Sequence, residues 1–230
     1  MKTIIGKKPE ITDQAADRII SLVRESPDAA LLLGWDESLA ELYSAVGRRC
    51  AENEEIRSLF SEVKAFPAFE FDCGSRIISE KIEKEFLIPA GIKKENRFSL
   101  WQNEEEYEAL LSGEQVICIL SVGLKGQVAF NEPGAQYDSV ARRQKLTLST
   151  RRLYAPLFGG EEAVPEFGYT AGIGTIVRSK NILVFSAGEK FQDAVFSMLY
   201  ARDDSVVPAA FLQLPPNVEV YSDDAAAAKL

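Results

Sequence analysis

Short apolar runs alternate along this chain with stretches whose apolar residues recur at helical spacing. In residues 12–25 the apolar side chains recur every three or four positions, which predicts an amphipathic helix with Thr12 or Asp13 as its N-cap. Residues 29–33 are all apolar, which is typical of a strand that is covered on both faces. The same alternation continues to the end of the sequence.

The remaining elements follow from the same patterns. Further helices are predicted over residues 37–49, 75–87, 104–111 and 187–200. Further strands are predicted over residues 68–71, 116–122, 146–148, 169–171, 182–186 and 218–221. Such alternation predicts an α/β fold, a mainly parallel, Rossmann-like sheet with helices on both faces. We expect one domain over residues 1–222 and a flexible tail over residues 223–230.

Composition restricts the classes of partner. The chain has 230 residues, of which 46% are hydrophobic, and this suits a single domain with a sizeable core. Its formal net charge is −9, which argues against nucleic acid or an anionic membrane as a partner. No apolar run has the length of a membrane span and the N-terminus lacks the pattern of a signal peptide, so we expect a cytoplasmic protein.

The sequence offers few metal ligands. It contains no histidine, and its three cysteines, Cys50, Cys73 and Cys118, are far apart. Free thiols are therefore expected instead of disulfides or a zinc site. We predict neither a metal nor a cofactor.

Three loops follow the carboxyl ends of predicted strands. They come after Leu33, Phe71 and Val122. In open parallel sheets, ligands bind beyond the carboxyl ends of the strands. The sequence therefore predicts that these loops form the site.

The loop after Val122 carries the most informative motif. Residues 126–133 read G-Q-V-A-F-N-E-P. They resemble the active-site signature G-x-G-x-D-G-H-x-A-F-N-E-P of the glucosamine/galactosamine-6-phosphate isomerases (deaminases), a family related to the 6-phosphogluconolactonases. Two positions differ, because Lys125 replaces the aspartate of the signature and Gln127 replaces its histidine.

Three further stretches are similar to this family. Residues 69–72 (F-E-F-D) resemble its F-x-x-D-E strand end, residues 169–175 (Y-T-A-G-I-G-T) its T-x-G-x-G-T turn, and residues 187–190 (A-G-E-K) its G-x-x-K. The resemblance extends from the first strand to about Tyr221. It implies a Rossmann-like fold, a sugar or sugar phosphate as the small-molecule partner, no cofactor and assembly into a homo-oligomer.

The resemblance assigns catalytic positions to Asp72 and Glu132. Asp72 corresponds to the aspartate that moves a proton between two sugar carbons, and the alternative is a loop or N-cap aspartate. Glu132 corresponds to the glutamate that assists the histidine in ring opening, and the alternative is a carboxylate that holds a turn. Gln127 cannot titrate, so Glu132 is expected to have lost its partner. Lys125 is expected to pair with Asp72, to form a Schiff base or to face solvent.

The resemblance also assigns the substrate-binding positions, which are Gly34, Ser38, Gly123, Gly126 and Lys190. The family holds phosphate on a T-G-G-T turn at a helix N-terminus, whereas residues 34–38 here read G-W-D-E-S. Asp36 or Ser38 is expected to cap that helix itself, and Trp35 to crowd the turn.

Three functions remain open from the sequence. The first is a catalytically impaired or silent family member that still binds a sugar or sugar phosphate. The second is a working isomerase, deaminase or lactonase-type enzyme with a shifted substrate and Asp72 as its base. The third is a structural partner of an active paralogue.

Overall fold

A parallel six-stranded sheet forms the centre of the computed structural model, which describes residues 1–100, 104–202 and 206–230. Its strands are β1 (Lys2–Gly6), β2 (Ala30–Leu33), β3 (Ala65–Pro67), β5 (Val116–Leu120), β8 (Asn181–Ser186) and β9 (Val218–Asp223). They lie in the order β1-β9-β8-β5-β2-β3, and every pairing in this sheet is parallel. The predicted α/β fold is confirmed.

A smaller antiparallel sheet lies beside the first. It contains β4 (Phe69–Phe71), β6 (Arg142–Lys145) and β7 (Phe167–Thr170), in the order β4-β7-β6. The strand predicted over residues 68–71 belongs to this small sheet, while β3 just before it joins the large one. This arrangement places the end of β4 near β6, although some 70 residues separate them in sequence.

Helices cover both faces of the large sheet. They are α1 (Lys8–Glu25), α2 (Glu37–Glu52), α3 (Glu54–Ser61), α4 (Ile77–Ile82), α5 (Ile88–Ala90), α6 (Glu104–Ser112), α7 (Leu148–Phe158), α8 (Ile173–Val177) and α9 (Gln192–Tyr200). A π-helical segment, Glu83–Leu87, joins α4 to α5, and a 3₁₀ turn, Glu189–Phe191, precedes α9. None of the described helices combines the length and the apolar character needed to cross a membrane.

Helix α1 begins one turn earlier than its apolar pattern predicts. Its N-cap is Lys7 rather than Thr12 or Asp13, and Pro9 lies in the first turn. Proline is favoured there because its fixed φ suits the helix and the backbone N–H groups of the first turn have no intrahelical acceptor. The Thr12 hydroxyl instead donates to Lys8 O within the helix (2.7 Å).

The strand predicted over residues 146–148 is wrong. Strand β6 ends at Lys145, and Thr147 is the N-cap of α7, with its hydroxyl oxygen 3.4 Å from Thr150 N. A threonine that satisfies a free N–H of the first turn favours a helix start, and three residues of alternating pattern are too few to outweigh it.

The C-terminal segment is tied to the body of the domain. Asp223 Oδ1 accepts hydrogen bonds from Ala226 N (2.8 Å) and Gly188 N (3.0 Å), and Ala226 is fully buried. Lys229 pairs with Asp193 on α9. The predicted tail over residues 223–230 therefore packs against the loop that precedes α9.

Candidate functional site

The loop after β5 is a tight turn built on two glycines. Gly123 N donates to Gln127 O (2.8 Å), and Gly126 N donates to Gly123 O (2.9 Å). Gly126 has a φ of +76°, and a Cβ there would lie 2.5 Å from Val207 Cγ1. A Cβ on Gly123 would lie 2.6 Å from Gln127 Oε1. Gly126 is thus restricted to glycine by its positive φ, whereas a side chain at position 123 would collide with that of Gln127. The resemblance assigns both positions to substrate binding.

Both polar atoms of the Gln127 side-chain amide make hydrogen bonds. Its Oε1 accepts from Lys125 N (2.9 Å), and its Nε2 donates to Glu132 Oε2 (3.0 Å). The side chain is 2% exposed. The glutamine at the histidine position of the signature therefore contacts the same glutamate that the resemblance assigns to the histidine.

Glu132 has not lost its partners, contrary to the expectation from sequence. Besides Gln127, it accepts hydrogen bonds from Thr147 N (2.9 Å) and from the Thr147 hydroxyl (3.1 Å). It is 4% exposed. The carboxylate therefore ties the loop after β5 to the start of α7, as the alternative structural role requires. Thr147 was not singled out from sequence, because its contact with Glu132 depends on the tertiary fold.

The A-F-N part of the motif holds the loop against the small sheet. Ala129 has a φ of +52°, an uncommon conformation for a residue with a Cβ. Asn131 Nδ2 donates to Val128 O (2.9 Å) and to Ala171 O (2.8 Å), and its Oδ1 accepts from Arg142 (2.9 Å). Burial lowers the pKa of Arg142. Two of the family-like stretches, residues 126–133 and 169–175, are thus joined through Asn131.

Asp72 pairs with Arg143 and not with Lys125. Arg143 Nε lies 2.7 Å from Asp72 Oδ2. The guanidinium carbon of Arg143, Cζ, lies 3.9 Å from the centre of the Phe167 ring. Among the described residues there is no Asp72–Lys125 ion pair, so that expectation is wrong. The partner comes from β6 because the small sheet places Arg143 beside the end of β4.

Glu70 is a buried carboxylate that sequence reasoning did not single out. Its oxygens accept from Phe71 N, Ile78 N and Ser79 N at 2.9–3.0 Å and from the Ser79 hydroxyl at 2.9 Å. Burial raises the pKa of Glu70, and these hydrogen bonds oppose that shift. The side chain anchors the N-terminus of α4 to β4, just before Asp72.

The turn to which the resemblance assigns phosphate binding already contains a carboxylate, that of Asp36. Asp36 is the N-cap of α2, and its Oδ1 accepts from Ser38 N, Leu39 N and the Ser38 hydroxyl at 2.7–2.9 Å. The predicted cap at Asp36 is confirmed. Trp35 is 5% exposed and donates through Nε1 to Glu85 (2.6 Å), so its ring is fixed in the structure.

Lys190 and Gly34 are the other positions assigned to substrate. Lys190 Nζ lies 3.1 Å from Glu37 Oε2 in a solvent-exposed pair. Gly34 O accepts from the buried Tyr43 hydroxyl (2.6 Å), and a Cβ on Gly34 would lie 3.0 Å from the Leu120 side chain. The phosphate-binding lysine implied by the resemblance therefore already has a carboxylate partner.

Two small cavities are lined by residues to which the resemblance assigns substrate binding. One of about 10 Å³ is lined by Gly34, Gly123, Gln127 and Tyr154 among others, and one of about 20 Å³ by Trp35, Asp36, Glu37 and Lys190 among others. A cavity of that size holds a single water molecule at most. Asp72 lines neither. The fold thus brings the loops after β2 and β5 together, whereas Asp72 lies apart with Arg143.

Comparisons with known proteins connect this geometry to a family. The chain is 34% identical over 164 residues to the glucosamine-6-phosphate deaminase of Lacticaseibacillus paracasei, covering 71% of this chain and 68% of that protein. It is 28% identical over 236 residues to the glucosamine-6-phosphate deaminase of Bacillus cereus (strain ZK / E33L), covering 98% and 88% of the two chains. No protein-family model matches.

Solved structures give the same relation. A monomeric glucosamine-6-phosphate deaminase, described as a missing link of the NagB superfamily, superposes with a TM-score of 0.89 and 25% identity over 99% of both chains. The 6-phosphogluconolactonase of Trypanosoma brucei superposes with a TM-score of 0.74 at 16% identity over 100% of this chain and 98% of that chain, which shows a shared fold. The chain belongs to the glucosamine-6-phosphate deaminase family.

Proposed function

We propose that this chain is a member of the deaminase family whose isomerase/deaminase chemistry is impaired or lost, and that it binds a sugar or sugar phosphate. The observation that carries the proposal is the hydrogen bond from Gln127 to Glu132. Ring opening needs a group that accepts and donates protons near neutral pH. An amide makes hydrogen bonds but does not titrate, and both ends of this amide are occupied.

The anion site supports the same conclusion. A phosphate at the N-terminus of α2 would meet the Asp36 carboxylate that already caps the helix. The adjacent Glu37 already pairs with Lys190. A bound phosphate would have to take the place of the Asp36 side chain at the N–H groups of the helix. Both carboxylates would repel it, because they carry charge of the same sign. The two cavities at these positions hold one water molecule each at most, so a sugar enters only if the loops after β2 and β5 move apart. We therefore expect weak binding of glucosamine 6-phosphate, or preference for a sugar without phosphate.

A second candidate is a working enzyme with a shifted substrate that uses Asp72 as its base. The exposure of Asp72 favours this candidate. Its side chain is 27% exposed and that of its partner Arg143 is 50% exposed, so the ion pair can open at little cost in free energy. Such an enzyme would take a sugar that is already open-chain. It would not need the proton transfer that Gln127 cannot perform.

A comparison of three proteins separates the two candidates. Two rates are measured, ammonium release from glucosamine 6-phosphate and isomerisation of glyceraldehyde, an aldose too short to close a ring. They are measured for the wild type, for Asp72→Asn and for the control Asp17→Asn, which removes a carboxylate that is 69% exposed on α1. If the chemistry is lost, all three give the same background rate. Turnover that Asp72→Asn abolishes and Asp17→Asn retains would establish the second candidate instead.

Binding is measured on the same three proteins by calorimetric titration with glucosamine 6-phosphate and with glucosamine. Saturable binding without turnover supports a sugar-binding role. If neither compound binds, the proposed sugar-binding role is rejected for these two sugars.

A further inference from the structure

A separate cavity lies at the β3 edge of the large sheet. It has a volume of about 330 Å³ and is lined by Arg76, Arg97, Phe98, Ser99, Glu106, Tyr107 and Leu110. Pockets for small ligands begin at about 300 Å³. None of the residues assigned to the sugar site lines this cavity, so it is independent of the function proposed above.

Two arginines of the cavity are held in place by the fold. Arg97 donates through Nε and Nη2 to Ile92 O at 3.1 and 2.6 Å, and among the described residues it makes no ion pair. Arg76 pairs with Glu83 through Nη2. A guanidinium that is already fixed loses little conformational freedom when it binds a ligand. The charge of Arg97 therefore remains available to an anion.

Two polar atoms at this cavity have unused hydrogen-bonding capacity. Arg76 Nε and Ser99 Oγ are buried and have no hydrogen-bond partner among the described residues. Buried polar atoms are almost always paired in native proteins, so a ligand that moves the atoms covering these two would gain two hydrogen bonds. They offer one N–H donor and one hydroxyl.

The opposite part of the lining is apolar. Phe98 is stacked on Phe66 with ring centres 4.4 Å apart, and Tyr107 packs edge-on against Phe66 at 5.6 Å. The Tyr107 hydroxyl is already used, because it donates to Pro67 O (2.7 Å). Phe98 and the exposed Leu110 thus present carbon surface to an occupant that reaches the arginines with its polar end, while Phe66 and Tyr107 support Phe98 from within the core.

We propose that this cavity binds a small organic carboxylate with an apolar or aromatic body. Arg97 receives the carboxylate first, a small movement of the covering atoms brings Arg76 Nε and the Ser99 hydroxyl within reach, and Phe98 and Leu110 contact the body. When Glu83, the partner of Arg76, is included, the charges of Arg76, Arg97, Glu83 and Glu106 sum to zero, so a monoanion is better matched than a phosphate dianion.

The test uses benzoate as the probe and the Nε–Hε resonances of the arginines as the readout. Nitrogen-15-labelled full chain is titrated with sodium benzoate, and in parallel with sodium chloride and with inorganic phosphate at matched ionic strength. We expect saturable shifts of the Arg76 and Arg97 signals with benzoate, assigned from their loss in Arg76→Lys and Arg97→Lys. The Arg152 signal, from an arginine that is 65% exposed outside the cavity, is expected not to shift.

Ser99→Leu fills the cavity and removes the proposed Ser99 contact, while it keeps both arginines and every hydrogen bond of the described residues, and we expect it to weaken benzoate binding at least tenfold. If that variant does not fold, Arg97→Gln serves instead and is expected to give the same loss. The proposal is overturned if benzoate causes no saturable shift, if sodium chloride reproduces the shift, or if the folded variant binds as the wild type does. Tighter binding of phosphate than of benzoate would overturn the carboxylate assignment.

Discussion

Gln127 Nε2 lies 3.0 Å from Glu132 Oε2, and both side chains are almost completely buried. The pair keeps the contact that the family resemblance assigns to a histidine and a glutamate, but the donor is now an amide. A contact of this kind can hold the loop after β5 without moving a proton. This one hydrogen bond can therefore keep its structural role while it contributes nothing to proton transfer.

This contact predicts a stability role for Glu132. Replacing it by alanine leaves the backbone N–H of Thr147 without an acceptor and Gln127 Nε2 with only the long contact to the Thr147 hydroxyl (3.5 Å), and we expect the free energy of unfolding to fall by about 3 kcal/mol. Urea denaturation of Glu132→Ala measures the change. The control is Glu162→Ala, which removes an exposed glutamate and is expected to stay within about 0.5 kcal/mol of the wild type. Equal costs for the two variants would contradict the structural role.

The start of α2 provides a second prediction. Asp36→Ala removes the acceptor of Ser38 N and Leu39 N, and we expect a loss of about 1 kcal/mol in the free energy of unfolding. The neighbouring acid Glu37 makes an exposed pair, so Glu37→Ala is expected to cost less than about 0.5 kcal/mol. Urea denaturation of both variants checks the order. A larger cost for Glu37→Ala would show that Asp36 is not the stabilising cap.

Glu70 predicts a pH dependence. Its pKa in the folded chain is raised by burial above the value of about 4.3 in an unfolded chain. The folded protein thus binds more protons than the unfolded one between the two pKa values. The contribution of Glu70 to stability is therefore largest below the unfolded pKa and falls as the pH rises through the folded pKa.

Glu70→Gln removes that titration. The stability difference between wild type and Glu70→Gln is therefore expected to shrink as the pH rises from about 4 to 7, as measured by urea denaturation at a series of pH values. Glu162→Gln, with its exposed side chain, is the control. A difference that grows with pH would mean that the hydrogen bonds to Glu70 outweigh its burial.

The cysteines predict a labelling pattern. Cys73 is exposed, whereas Cys50 and Cys118 are buried, and burial raises the pKa of Cys50 to about 11. A thiol reagent at pH 8 is expected to modify one cysteine in the folded chain and three after denaturation. Mass spectrometry of the wild type and of Cys73→Ser counts them. Fast modification of the native Cys73→Ser protein would contradict the burial of the other two.

Much of the fold is evident from the sequence because buried parallel strands are nearly continuous apolar runs. Residues 29–33 and 182–186 are of this kind, and each lies within one residue of its strand. The Asp36 cap was also predictable, since a cap and the N–H groups it binds are three residues apart at most. Local patterns of this kind need no knowledge of the tertiary fold.

The ion pair of Asp72 could not be predicted in the same way. Its partner, Arg143, is brought close by a small antiparallel sheet whose register nothing in residues 68–71 specifies. The strand expected at residues 146–148 fails for a related reason, because the apolar pattern there is short and Thr147 caps a helix instead. Glu132 also gains its Thr147 contacts only from packing of distant elements.

The fixed ring of Trp35 has a spectroscopic consequence. Its indole N–H donates a hydrogen bond to Glu85, and its ring is buried beside the cavity at the turn of residues 34–38. The only other tryptophan of the sequence is Trp101, which lies outside the described residues. Trp101→Phe therefore yields a protein with one indole fluorophore, whose emission wavelength reports directly whether an added sugar or anion reaches that turn.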